Sequence, residues 1–113
     1  MNKFNLFDPA ETIGTMICLE NKKGLKYETV VASVMKKENS VRLNLARCRE
    51  FVEIFKVQED GETLRPDELV GHKVYIKLLG HSFSGIVCSV SQENLCTIWV
   101  SGSGEYLFLK MYK

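Results

Sequence analysis

Short stretches of alternating hydrophobic and polar residues run through the chain and predict a protein built from β-strands. The stretches are rich in Val, Ile, Tyr and Phe, and turn sequences containing Gly or Asn separate them. No segment has the sustained 3.6-residue period of a long helix, so the predicted fold class is all-β. The predicted strands are residues 15–20, 26–36, 40–46, 50–57, 72–79, 82–91, 95–101 and 105–112.

The two halves of the chain share a pattern that strand composition alone does not explain. Pro9-Ala-Glu-Thr-Ile-Gly14 matches Pro66-Asp-Glu-Leu-Val-Gly71 position for position. ETVVASVMKKEN at 28–39 resembles SGIVCSVSQEN at 84–94. Two single-residue slips in turn regions keep the later strands aligned, so that Phe51 matches Tyr106. We interpret this pattern as the internal duplication of a unit of about 55 residues.

The duplication predicts two small β-barrels in tandem, each with a short N-terminal helical turn and four to five strands. Asp8-Pro9 followed by Glu11 has the form of a capped helical turn, and Gly14 and Gly71 lead each turn into a strand. A unit near 60 residues buries only about 60% of its surface, so the two units are expected to share an interface or to merge into one core by exchanging strands. The predicted organisation is an N-terminal arm (1–8), repeat 1 (9–57), a joint (58–65) and repeat 2 (66–113).

Each unit resembles small barrels of the Sm type and the N-terminal barrel that precedes PilZ domains in flagellar brake proteins. The resemblance rests on Leu69-Val-Gly-His-Lys-Val-Tyr-Ile76 as an opening strand and on Phe83-Ser-Gly-Ile-Val87 as a second strand. It implies a small barrel, and assembly into a ring is one expectation because Sm-type barrels often oligomerise in that way. The functional motifs of the two families are missing from the sequence. The Asn-and-Gly signature of Sm-type RNA binders is not found. Arg42 and Arg47, with four residues between them, depart from the PilZ cyclic-dinucleotide motif.

Composition is ordinary for a globular protein, with 45% hydrophobic residues, 26% charged residues and a net charge of +1. No apolar run approaches the roughly 20 residues that a membrane helix needs. The N-terminal residues lack an apolar core followed by a small-residue cleavage site, so no signal peptide is expected. These features predict a cytoplasmic protein without a membrane partner.

Chemically reactive residues are few, and their arrangement predicts a non-enzyme that needs no metal or cofactor. His81 and Cys88 could be drawn as a base and a nucleophile, but Cys88 aligns with Ala32 at an expected core position. His72 and His81 are expected to be solvated turn residues, and no glycine-rich loop precedes a helix to hold a phosphate. Irregular spacing without a Cys-x-x-Cys pair predicts reduced, metal-free thiols at all four cysteines: Cys18, Cys48, Cys88 and Cys96.

Strand alternation predicts an exposed aromatic surface in the second unit. In the predicted strand 95–101, Ile98 and Val100 take the core side, so Trp99 points outward and aligns with Asn44 of the first unit. An exposed aromatic group usually marks an interface, here either with a protein partner or between the two units. The predicted partner-binding residues are Trp99, Tyr106, Phe108 and Tyr112.

Positive charge concentrates in the first half of the chain, although neither half is basic enough to imply non-specific nucleic-acid binding. Residues 1–57 carry 10 Lys/Arg and 7 Asp/Glu, whereas residues 58–113 carry 5 and 7. The leading hypothesis is a non-catalytic binding or adaptor protein that acts through the aromatic surface. The alternative is RNA or single-stranded DNA binding, and a small regulatory nucleotide is a third candidate. The candidate anion-binding residues are Lys22, Lys23, Lys26, Tyr27, Lys36, Lys37, Arg42, Arg47 and Arg49.

Overall fold

Eight antiparallel strands form a single closed barrel in the computed structural model of the chain. The structure describes residues 9–47, 49–55, 69–78, 80–91, 95–102 and 105–112. The predicted arm (1–8), the joint (58–65) and the helical turn expected at Pro66 lie outside the described residues. The elements are α1 (Pro9–Thr12), β1 (Met16–Asn21), β2 (Lys26–Lys36), β3 (Ser40–Leu45), β4 (Phe51–Phe55), β5 (Lys73–Leu78), β6 (His81–Ser91), β7 (Cys96–Gly102) and β8 (Glu105–Tyr112). Within the described residues, no helix has the length and apolar character needed to cross a membrane.

The all-β fold class is confirmed, but the prediction of two separate barrels is wrong, because each half contributes four strands to one barrel. β4 pairs with β5 across the boundary between the halves, from Phe51 opposite Lys77 to Phe55 opposite Lys73. β8 pairs with β1 and closes the cylinder. A four-stranded sheet alone would leave two edges of unpaired backbone groups, and joining the halves satisfies both edges while building one larger core.

Aliphatic side chains from alternate strand positions fill the interior. An eight-stranded barrel is just wide enough for its own side chains to fill it, and the pattern here is that of a packed core. Leu69, which precedes β5, is also fully buried in this core. The largest strand residues with almost no exposed surface are Ile17, Leu43, Ile54, Ile76, Ile98, Leu109 and Met111.

The two halves begin with the same set of hydrogen bonds. The Gly14 N–H donates to the Val31 carbonyl over 2.9 Å, and the Gly71 N–H donates to the Val87 carbonyl over 2.8 Å. Both glycines have a positive φ, 90° and 93°, which costs other residues about 1–2 kcal/mol. The pairing register also shifts directly after Val31 in β2 and directly after Val87 in β6, as at a β-bulge.

The last hairpin of each half differs, and this corrects the predicted alignment of β4 with β8. Asn44 pairs with Phe51, whereas Trp99 pairs with Phe108. Phe108, and not Tyr106, therefore occupies the position that corresponds to Phe51. The cause is that the β7–β8 hairpin continues further toward its turn, so the alignment that matches Asn44 with Trp99 cannot be carried unchanged into β8.

The barrel has two distinct ends, which we call upper and lower. β1, β3, β5 and β7 finish at the upper end, and α1 lies at the lower end, where β2, β4, β6 and β8 finish. His72 at the lower end is buried, and its Nδ1 lies 3.1 Å from the Leu69 carbonyl oxygen. Thr15, at the corresponding place in the first half, donates from Oγ1 to the Thr12 carbonyl over 2.8 Å. The expectation of a solvated His72 is wrong, because His72 ends the turn that begins at Leu69 and its ring is buried against the Leu69 carbonyl.

Candidate binding surfaces

Trp99 and Phe108 form an aromatic pair on the outside of the barrel. The two residues lie opposite each other on β7 and β8, with ring centroids 5.6 Å apart and ring planes at 87°. This edge-to-face geometry is a preferred arrangement of aromatic rings. Both side chains are half-buried, whereas Ile98 and Val100 on either side of Trp99 are buried in the core. We call the outer surface of β7, β8 and β1 around this pair the Trp99 face.

The other two predicted aromatic residues do not join the pair. Tyr112 lies four positions beyond Phe108 on β8, which is about 13 Å along a strand. Its hydroxyl donates to Glu28, and this hydrogen bond is the main reason that the pKa of Tyr112 is raised. Tyr106 pairs through its backbone with Ser101, and its side chain lies outside the described part of the structure.

Charged residues beside the Trp99 face balance one another. The row through Trp99 and Phe108 continues to Glu20 on β1 and Lys26 on β2. The adjacent row contains Lys110 and Glu28, so two lysines and two glutamates among the described residues lie on this side of the barrel. A shallow pocket of about 290 Å³ lies over these rows and is lined by Cys18, Glu20, Lys26, Glu28, Lys110 and Tyr112.

A second aromatic surface covers β3, β4 and β5 on the opposite side of the barrel. The Arg42 guanidinium lies 4.0 Å from the centre of the Phe51 ring, and the Phe51 and Tyr75 rings are 5.7 Å apart. The Lys73 ammonium lies 5.9 Å from the centre of the Phe55 ring. We call this surface the Phe51 face. Strand alternation could have found it, because Phe51 and Phe55 are out of phase with the core residues of β4, but no aromatic surface was predicted in the first half.

Glu53 lies in the middle of the Phe51 face and is only 5% exposed. It accepts hydrogen bonds from Ser40 and Arg42, and the Lys37 ammonium lies 3.6 Å away. Burial by itself would raise the pKa of Glu53, but these hydrogen bonds and the two positive charges outweigh it, so the pKa is lowered. Glu53 therefore stays ionised and offsets part of the charge of Arg42, which it contacts at 2.9 Å.

The predicted basic residues occupy three different places. Tyr27 packs against the core and donates its hydroxyl to Glu50, which raises the pKa of Tyr27, so its ring does not form an open stacking surface. Arg42 lies in the middle of β3 and pairs with Glu53. Of the others, Lys22, Lys23, Lys26, Arg47 and Arg49 lie at or next to the upper end, and Lys36 and Lys37 lie at the lower end.

An apolar depression of about 360 Å³ opens at the upper end of the barrel. Leu25 in the β1–β2 turn is 68% exposed beside it. The sequence did not indicate this depression because its lining comes from three separate parts of the chain. The lining residues are Leu19, Asn21, Leu25, Lys26, Tyr27, Leu78 and Leu107.

The structure separates the histidine and cysteine that might have formed a catalytic pair. His81 begins β6 and Cys88 lies seven residues further along the same strand, which is about 23 Å. The expectation that Cys88 is a core residue is wrong, because the register shift between Val87 and Ser89 leaves it exposed, with its thiol 3.3 Å from the Trp99 carbonyl oxygen.

The other described cysteines are buried free thiols. Burial raises the pKa of Cys96 to about 12. Burial, together with Glu28 and Glu20, also raises the pKa of Cys18. Cys48 lies outside the described residues. Within the described part of the chain, no three His, Cys, Asp or Glu residues come together in a way that could hold a metal ion.

Comparison of the chain with family models, with curated proteins and with solved structures finds no match. The structure establishes a small closed antiparallel barrel. The likeness to Sm-type and PilZ-associated barrels rests on the sequence pattern alone.

Proposed function

We propose that this protein is a non-catalytic binding or adaptor protein that docks a protein partner through the Trp99 face. The observation that carries the proposal is the edge-to-face pair of Trp99 and Phe108 on the outer surface. Neither ring belongs to the cluster of buried core residues, so core packing does not account for two large aromatic side chains at this position.

The surroundings of the pair fit the centre of a protein interface. Such centres are rich in aromatic residues, and the residues that contribute most to binding are enriched in Trp and Tyr. Uncharged Ser89 and Ser101 flank Trp99, and the nearest charges are balanced between lysine and glutamate. A neutral, rigid strand surface of this kind loses little conformational entropy when it binds.

An internal duplication, which we propose as the origin of the chain, gives this surface an equivalent in the first half. The support is the matched hydrogen bonds of Gly14 and Gly71 and the matched register shifts after Val31 and Val87. In the first half, the position of Trp99 is occupied by Asn44. On this proposal, the two equivalent surfaces have diverged in chemistry, and the second has acquired the larger aromatic group.

The test is a comparison of wild-type protein with Trp99→Ala and with the matched control Asn44→Ala. Each protein serves as bait in an extract of the native host, and the affinity of each recovered partner is then measured with purified components. We expect Trp99→Ala to weaken binding about 30-fold, equivalent to about 2 kcal/mol, and to keep the wild-type far-UV circular dichroism spectrum. Asn44→Ala should bind as the wild type does, since its side chain contacts Ser33 on the other side of the barrel.

Equal binding by wild type and a folded Trp99→Ala protein would refute the proposal. If Trp99→Ala fails to fold, Phe108→Leu removes the second ring with a smaller loss of packing and answers the same question. Salt dependence separates the alternative function, because contacts with phosphates weaken steeply with added salt whereas an aromatic interface is much less sensitive.

The alternatives have less support. Nucleic-acid binding by all of the predicted basic residues would need one continuous surface. These residues are instead divided between the upper end, the lower end and, for Arg42, the middle of β3. A small regulatory nucleotide stays a third candidate that no single contact favours. Assembly into a ring by strand pairing has no free edge to use, because every strand of the barrel is paired on both sides.

A further inference from the structure

The Phe51 face combines three partly exposed aromatic rings with an excess of positive charge. Phe51, Phe55 and Tyr75 lie on two adjacent strands, β4 and β5, and all three side chains are half-buried. Tyr75 pairs with Glu53, which lies between Phe51 and Phe55 on β4, so the Tyr75 ring is a diagonal neighbour of both phenylalanines. Diagonal neighbours lie about 7–8 Å apart, within reach of aromatic side chains, and the Tyr75 ring contacts that of Phe51. The ring contacts described above hold Phe51 between Arg42 and Tyr75.

Among the described residues on the outer side of β3, β4 and β5, the charged side chains are Arg42, Lys73, Lys77 and one carboxylate, Glu53. Lys37 and the exposed Glu38 lie beside them in the β2–β3 turn. Lys37 and Arg42 approach Glu53, which is buried and ionised. Lys73 and Lys77 lie on β5 beside the rings, and among the described residues no carboxylate is within 4.0 Å of either ammonium group. The face is therefore positive where its rings are exposed.

The corresponding positions of the Trp99 face carry different charges. In the alignment that places Gly71 on Gly14, β5 matches β1, so Lys77 corresponds to Glu20 and Lys73 corresponds to Met16. Both faces thus have aromatic rings, but among the described residues only the Phe51 face carries an excess of positive charge. The difference in charge points to a different class of ligand.

We propose that the Phe51 face binds single-stranded nucleic acid. Proteins that bind single strands combine cations that follow the phosphate backbone with aromatic rings on which bases stack. Charge complementarity favours a polyanion here, and the exposed rings favour one whose bases are not already stacked in a duplex. This site differs in place and ligand from the protein-binding Trp99 face, so either proposal can fail without the other.

The experiment measures fluorescence anisotropy of a fluorescein-labelled oligo(dT) of about 12 nucleotides, a length within the site sizes of known single-strand binders. The labelled duplex of oligo(dT) with oligo(dA) is measured in parallel, at salt concentrations from about 50 to 200 mM. We expect the wild type to bind the single strand at least tenfold more tightly than the duplex.

Two groups of variants locate the site. Tyr75→Leu should weaken binding about tenfold or more because one stacking ring is lost. Tyr75→Trp keeps a stacking ring at this position and should bind as tightly as the wild type. The double variant Lys73→Gln/Lys77→Gln should weaken binding and make it less dependent on salt. The magnitude of the negative slope of log K against log salt should decrease by about 1.4, or about 0.7 for each lost cation. Phe108→Leu and Lys110→Gln on the opposite face are the matched controls and should bind as the wild type does.

Failure of the folded wild type to bind oligo(dT) at low salt overturns the proposal. Equal binding of single strand and duplex would also overturn it, because this would indicate a non-specific polycation. Equal losses in Phe108→Leu and Tyr75→Leu would overturn it as well, because the rings of the Phe51 face would then not locate the binding site. Far-UV circular dichroism establishes that each variant is folded. Should Tyr75→Leu not fold, the comparison of Tyr75→Trp with the double lysine variant decides, since neither removes a packed ring.

Discussion

Glu53 is the residue that links the surface chemistry of the barrel to its stability. It is nearly inaccessible to solvent, yet it lies on the outer side of β4 and holds Ser40 and Arg42 from β3 by hydrogen bonds. A buried carboxylate is destabilising unless such partners offset the loss of hydration. The lowered pKa of Glu53 means that the folded protein favours the ionised form more strongly than the unfolded chain does.

Replacing Glu53 by Gln should therefore destabilise the protein in a pH-dependent way. Because the folded pKa lies below the ordinary value of 4.5, the stabilisation is fully present above that pH and is lost as the pH falls through the folded pKa. At pH 7, Glu53→Gln should lower the free energy of unfolding by about 2 kcal/mol, the value typical of hydrogen bonds to a charged group. Urea unfolding from pH 7 down to pH 3 measures the difference, which should shrink in the acidic range.

Ser40→Ala is the control for Glu53→Gln, because it removes one donor and leaves the charge. Its loss of stability should be smaller than that of Glu53→Gln at pH 7. If the stability curves of the wild type and Glu53→Gln run parallel down to pH 3, the folded protein does not depend on the charge of Glu53.

Individual side chains were predictable from the sequence where strand alternation decides their position. The buried Ile98 and Val100 and the half-buried Trp99 between them follow the simple alternation of a strand. Cys88 was not predictable in this way, because the register shift at that point breaks the alternation. His72 was not predictable either, since its burial depends on the turn from Leu69 to His72 and not on the strand that follows.

Among the elements, the hairpin of β7 and β8 is the one whose geometry most affects the candidate site. Its additional residue pairs place Phe108, and not Tyr106, opposite Trp99. Strand limits were predictable to within a few residues because hydrophobic periodicity and turn sequences mark them. The register of pairing was not predictable, because it depends on how many residues each turn leaves unpaired.

Gly102, near the end of β7, allows β6 and β7 to approach closely. A Cβ atom at this position would overlap the carbonyl oxygen of Ser84, and this backbone atom cannot move aside as a flexible side chain could. We expect Gly102→Ala to lower the free energy of unfolding by about 3 kcal/mol, at the upper end of the usual cost of overpacking. Urea unfolding measures the effect.

Ser101→Ala is the matched control, because Ser101 is the half-buried neighbour of Gly102 on the same strand. Its effect should stay within about 0.5 kcal/mol, as for most surface substitutions. Equal stability of Gly102→Ala and the wild type would show that β6 and β7 can separate at this point without loss.

At the scale of the whole molecule, the repeated pattern in the sequence indicated two similar halves but could not show how they associate. Each half has its own alternating strands and turns, and these local signals are the same for two tandem barrels as for one shared barrel. The difference lies in the pairing of β4 with β5 and of β8 with β1, which joins residues far apart in the sequence. Contacts of this kind leave no local pattern, so only the marginal size of one unit favoured a shared core.

A single shared core predicts that core substitutions in either half affect one and the same unfolding transition. Leu43 in the first half and Ile98 in the second are both at most 1% exposed. Leu43→Ala and Ile98→Ala should each lower the free energy of unfolding by about 2–5 kcal/mol. The fluorescence of Trp99, the only tryptophan, reports on the second half, whereas far-UV circular dichroism reports on all strands. In a cooperative barrel, both signals of the Leu43→Ala protein should move together to the same lower urea midpoint. Two independent barrels would instead leave the Trp99 transition of Leu43→Ala at the wild-type midpoint, and that result would contradict the closure of the two halves into one barrel.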